Sequence, residues 1–206
     1  EAKDAIERAA ETQRQAIQNR QDLTQDEKDA AKAKVTQAAA TATKAVEDAA
    51  DQNAVTQAKT NGTTAIAGIT PEAKVRPDAI KEVEAAAEAK KDQISKNKEL
   101  TAEEQAKAIQ AVTEAVQNAR NAINGSDTNA LVGTAKSKPA ALAAVAQAAE
   151  TKKQGIERNA ALTSDEKAEA VRKVNEELAK AQQAIKDAAN DEAVTNEQGK
   201  GSIAIS

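Results

Sequence analysis

The 206-residue chain contains no cysteine, histidine, methionine, phenylalanine, tyrosine or tryptophan. Without Cys or His there is no zinc, haem or iron–sulfur site of the usual kind, no thiol nucleophile and no Ser-His-Asp triad. Without aromatic rings there is no stacking platform, and a net charge of −4 supplies no basic stripe, so nucleic acid is excluded as a partner. Large aliphatic residues are scarce as well: 52 Ala stand beside only 12 Ile, 12 Val and 6 Leu, too few for one thick core. No charge-free stretch is a transmembrane candidate. No signal peptide or lipidation motif is present, and the chain opens in mid-helix at Glu1-Ala2-Lys3, as a piece cut from a longer protein would. The lack of cysteine fits a reducing cytosol and equally a cell surface whose proteins do without disulfides.

What is present is repetition. The landmark Leu-Thr-x-(acid)-Glu occurs as Leu23-Thr24-Gln25-Asp26-Glu27, Leu100-Thr101-Ala102-Glu103-Glu104 and Leu162-Thr163-Ser164-Asp165-Glu166. In register with it lie Ile17, Ile94 and Ile156 upstream and Val35, Val112 and Val174 downstream. The second unit is shorter than the first, and the difference falls between Lys59 and Pro77, where the matching Lys136 and Pro139 are nearly adjacent. Before each landmark, apolar residues recur in helical steps, as in Ile80, Val83, Ala87 and Ile94; after it they recur as Ala31, Val35, Ala39, Ala42 and Val46. These spacings predict two amphipathic helices per unit, A and B. A polar patch then predicts a shorter helix C carrying Val55, Ala58, Gly62, Ala65 or Ile66, and Ile69. Gly62 has its repeat mate in Gly201, and a helical glycine that recurs points either to a close approach of a neighbouring backbone or to a break in the helix.

The landmark itself reads as a capping box: Thr24, Thr101 and Thr163 accept from the backbone three residues on, and Glu27, Glu104 and Glu166 reach back. The competing readings are paired catalytic carboxylates or a calcium loop, but capping accounts for both residue type and spacing, and no glycine-containing twelve-residue loop accompanies the landmark. Metal binding by the Asp/Asn patches at 51–53, 127–129 and 190–191 is the sharper reading of those residues; N-capping is the plainer one. Pro77 and Pro139 occupy equivalent positions and mark repeat boundaries, where a first-turn proline would open helix A. The alternative for Pro139 is a long kinked helix running straight into the next unit. The organisation expected is therefore all-α: tandem three-helix bundles stacked end to end into an elongated rod. Repeat 1 spans 1–76, with helices near 2–20, 24–48 and 52–68; repeat 2 spans 77–138 with a shortened third helix; and repeat 3 spans 139–206. Of the two junctions, the one from Pro71 to Pro77 is expected to bend more.

The pattern Ile-x5-Leu-Thr-x-(acid)-Glu, an Ala/Val helix, an Asp/Asn turn and Val55-x2-Ala58-Lys59 with the downstream Gly62 resembles Gram-positive cell-wall adhesin repeats known as a domain of unknown function, number 1542 in that series. The resemblance covers nearly the whole chain, three times over. It implies an extracellular, cell-wall-anchored fragment of a longer bacterial surface protein, with no catalytic residues, no cofactor and no metal. The function it implies is a stalk or spacer projecting another domain. The alternative is a helical binding module for a host serum or matrix protein, or for self-association in cell–cell adhesion. Interface anchors are commonly Trp, Tyr and Arg, and two of these are missing here, which weakens the binding reading for a single unit. The partners expected are neighbouring repeats of the same chain, with a host protein or another copy of itself needed only by the alternative.

Overall fold

The computed structural model describes residues 1–98 and 100–206, and among these it holds eight α-helices and no strand. The chain divides into two compact units, Glu1–Pro77 and Asp78–Ser206.

The first unit is one three-helix bundle: α1 (Ala2–Gln18), α2 (Gln25–Glu47) and α3 (Gln52–Ala67), each packed on the other two. Its core is the predicted stripe. Ile6, Ala10 and Ile17 of α1, Ala31, Val35, Ala39 and Ala42 of α2 and Ile66 of α3 form one buried cluster. Alanine at the seams lets the helices come close, and the tightest place is Gly62 of α3. A Cβ built there would fall far inside the van der Waals radius of Ala42 Cβ, so glycine is required by proximity rather than by backbone conformation. Gly201 stands in the same relation to Ala181. The repeated glycine is a packing residue in both places.

The second unit contains two bundles that share a helix. α4 (Val75–Lys96), whose first three residues belong to the first unit, is followed by α5 (Ala102–Asn124), α6 (Asn129–Arg158), α7 (Ser164–Asp187) and α8 (Asp191–Ile205). α6 is 30 residues long with Pro139 inside it. Val132 and Ala135, before the proline, are buried on the repeat-2 side, and α5 packs on this helix. Ala141, Val145, Ala149 and Ile156, after it, belong to the repeat-3 core with Val174, Ala181, Ile185, Val194 and Ile205.

This corrects the reading of Pro139 as a helix start in favour of the alternative, a long helix running straight into the next unit: residues 129–138, fewer than the 16 of α3, are fused to the helix that follows. The start lies at Thr128, whose hydroxyl accepts from Leu131 N at 3.2 Å. Between there and the proline no residue terminates a helix, while Ala135 and the alanines of 140–149 sustain one. An interior proline costs a helix about 3 kcal/mol, and apolar burial on both sides of Pro139 offsets it. Pro77, by contrast, sits in the first turn of α4, where a proline is tolerated. Repeats 2 and 3 also contact each other directly: Ser137 Oγ donates to Asp191 Oδ1 at 2.9 Å and Lys138 Nζ to Lys186 O at 2.7 Å.

Candidate functional site: caps, a fastened junction and an open groove

All three landmark boxes close in both directions. Thr24 Oγ1 accepts from Glu27 N at 3.2 Å and Thr24 N donates to Glu27 Oε2 at 2.8 Å. Thr101 with Glu104 and Thr163 with Glu166 repeat this, each with a 3.3 Å and a 2.8 Å bond. The Thr101 and Thr163 backbone amides, and then their hydroxyls, hold Glu104 and Glu166 below the ordinary carboxylate range. Asp51 and Asn190 cap α3 and α8 in the simpler one-way form, accepting from Ala54 N and Ala193 N at 2.8 Å. The last residue of each landmark, Glu27, Glu104 or Glu166, is thus engaged in a helix start. Among the described residues no group of three or more potential ligands could hold a metal ion.

Glu27 does more than its two counterparts. Its second oxygen, Oε1, accepts from Lys74 N at 2.9 Å and Val75 N at 3.0 Å, the backbone amides that open α4. Burial pushes this carboxyl up, but the amides of Thr24, Lys74 and Val75 and the Thr24 hydroxyl outweigh burial and leave it lowered. Three further side-chain bonds fasten the same stretch. Gln13 Nε2 donates to Ile69 O at 2.7 Å, Arg20 Nη1 to Pro71 O at 3.2 Å, and Arg76 Nη1 to Gln21 O at 2.7 Å. Arg20 is itself aimed by Asp22, whose carboxyl it holds down at about 2. The stretch expected to bend therefore carries five hydrogen bonds to the end of its own bundle. Sequence reasoning missed Gln13, Arg20 and Arg76. A signal was available: the equivalent positions are Lys90 and Lys152 for Gln13, and Asn97 and Asn159 for Arg20, so only the first unit has the fastening set.

Repeat 2 departs from its neighbours in a different way. From Val55, seven residues lead to Gly62 and four more to Ile66; from Val194 the same steps reach Gly201 and Ile205. From Val132 they reach Pro139 and Ala143. A proline ring stands where a bare backbone is needed, and a methyl group stands where an isoleucine fills the core. The consequence is an open apolar groove of 410 Å³ flanked by Val83 and Ala87 of α4, Val112 and Val116 of α5 and Ala140 and Ala143 of α6. Val35 and Val174 are buried, while Val112 at the same register is half-exposed; Ile94 likewise lies more open than Ile17 and Ile156. Lys90 and Lys136 stand on the groove wall; Lys136 pairs with Glu82 at 2.8 Å.

No helix among the described residues is long and apolar enough to cross a membrane. A family model described as a Domain of Unknown Function (DUF1542) matches residues 1–74, 75–138 and 137–206, which together cover the chain. No curated protein and no solved structure matches it.

Proposed function

We propose, for a chain that belongs to the DUF1542 family as three tandem copies, a non-catalytic role as the stalk or spacer of a bacterial cell-surface adhesin. In this reading the repeats follow one another lengthwise and hold another domain away from the cell wall. The observation that carries it is repetition of one small bundle whose polar groups serve the bundle itself. The landmark carboxylates start helices, Gly62 and Gly201 seat helix C, and the ion pairs lie on the exposed surface, as Glu103–Lys107 at 2.8 Å and Lys180–Glu177 at 2.7 Å do. Linear repeats of this kind gain stability from neighbours and lengthen without changing their contacts. The absence of Trp and Tyr weighs against tight capture of a host protein by one unit.

The test is small-angle scattering from arrays of one, two and three copies of residues 1–76. The maximum dimension should grow almost linearly with copy number, and a plateau would remove the spacer reading. The parent reading frame tests location: the proposal expects a secretion signal upstream and a Leu-Pro-x-Thr-Gly motif near the far end.

A further inference from the structure

The groove in repeat 2 is an isoleucine seat without its isoleucine. In repeat 1, Ile66 packs into the cluster of Ile6, Ala10, Val35 and Ala39. The equivalent residues of repeat 2 are Val83, Ala87, Val112 and Val116, and they line the groove; Ala143 takes the place of Ile66. Ala143 is exposed and α6 cannot supply a larger side chain by shifting, because its other face is committed to the repeat-3 core through Ala141, Val145 and Ala149.

The same chain displays an isoleucine without a seat. Among the described residues only Leu131 and Ile203 are large hydrophobics left exposed, and Ile203 is the more so at 79%. It lies on the outer face of α8, one turn after Gly199, around which there is open space. Glu192 and Asn196 continue that stripe towards the helix start, both exposed. The equivalent position in repeat 1, Thr64, is exposed although the chain continues past it, so this face of helix C is not one that the bundle covers. The signs of charge also match: the groove wall offers Lys90, which makes no ion pair among the described residues, and the α8 stripe offers Glu192.

We infer that the repeat-2 groove receives α8 of a second copy of this chain, with Ile203 entering the place that Ile66 and Ile205 fill in their own bundles. Gly199 lets the two helices approach and Lys90 meets the acidic end of the incoming stripe. Groove and knob are different surfaces of one molecule, so the contact is head-to-tail and propagates from copy to copy instead of closing as a symmetric dimer. One aliphatic side chain makes a weak contact in isolation, and repetition along paired chains multiplies it. This inference does not depend on the spacer reading, which stands or falls on the scattering of repeat-1 arrays.

Sedimentation equilibrium of the full chain across its soluble concentration range tests it. The wild type should show concentration-dependent, open-ended association. Ile203→Ser removes the knob and Ala143→Ile fills the groove from within, and each alone should weaken association by about tenfold or more, the usual consequence of losing one buried aliphatic contact. Circular dichroism confirms that both variants remain helical, and both positions are exposed in the folded chain. Mixing the two variants should restore a one-to-one complex that grows no further, since only one knob and one groove remain between them. A wild type that stays at 21.4 kDa throughout overturns the inference. So does association that survives Ile203→Ser, or a mixture that fails to pair.

Discussion

At the scale of single residues, the three repeats act as controls for one another. Glycine shows this best. Gly201→Ala would drive a methyl group into Ala181 and, beyond it, against Val145, both in the repeat-3 core. The expected loss is about 1–3 kcal/mol, the range for overpacking a close-packed core. Gly155, also helical, has nothing within 4 Å of a built Cβ, so Gly155→Ala should instead gain about 0.5–1 kcal/mol from helix propensity. Urea unfolding of the two variants should therefore move the midpoint in opposite directions.

Glu27 gives the second residue-scale prediction. Its carboxyl titrates below the ordinary value of 4.5, so what it contributes is complete above that value and is lost as pH falls through the lower, folded one. At neutral pH, Glu27→Ala should speed amide exchange at Lys74 and Val75, whose N–H groups it accepts from. Glu104→Ala should loosen only its own helix start, because among the described residues Glu104 accepts from the Thr101 amide and from no second set of amides. Acidification of the wild type through the lowered pKa of Glu27 should reproduce the Glu27→Ala loss of protection at residues 74 and 75. If exchange there is already fast in the wild type, the Glu27 bonds do not hold residues 74 and 75 to their own bundle.

At the scale of helices, what could be read from sequence was whatever depended on neighbours along the chain. Thr24 and Glu27 sit three apart, so their mutual capping follows from spacing alone, as it does at Thr101 and Thr163. The stripe of Ile6, Ala10 and Ile17 follows from helical period in the same way. Pro139 misled because the local signal for a helix start is the same as that of its mate Pro77. Which of the two opens a helix is decided by what precedes it: residues 68–74 lie outside any helix before α4, whereas Asn129–Lys138 are already helical before Pro139. The second role of Glu27 was hidden for the opposite reason, since nothing near it in sequence distinguishes it from Glu104 and Glu166. It depends on where residues 74 and 75 return.

The groove has a consequence at this same scale. Repeats 1 and 3 each hold a buried apolar cluster that includes the isoleucine of helix C, whereas Ile94 of α4, Val112 of α5 and Leu100 between them are only half-buried. Less apolar area removed from water means a lower free energy of local opening. Native-state hydrogen exchange should show α4 and α5 opening before α1–α3 and before α7 and α8. Equal protection across all of them would mean that the open groove costs repeat 2 nothing.

On the scale of the whole molecule, the shared helix decides which pieces can fold by themselves. The buried cluster of repeat 1 runs from Ile6 to Ile66 with Ile69 packed against it, and its closing hydrogen bonds extend to Arg76. Repeat 2 takes its third helix from the first third of α6, before Pro139, and repeat 3 takes its first helix from the rest. Cutting at Pro139 would leave repeat 2 with about ten residues of helix C, below the length at which a helix persists without packing, against a groove that is already incompletely filled. A fragment of residues 1–77 is therefore expected to unfold cooperatively on heating, with the helical signal of a folded bundle. Residues 75–138 alone should show little helix at 25 °C, and residues 75–206 should recover it in a single transition, because α6 couples the two bundles. Calorimetry of the three fragments checks this. Independent, reversible folding of 75–138 would show that Val132 and Ala135 suffice to close the second bundle, and that continuity of the helix through Pro139 contributes nothing to its stability.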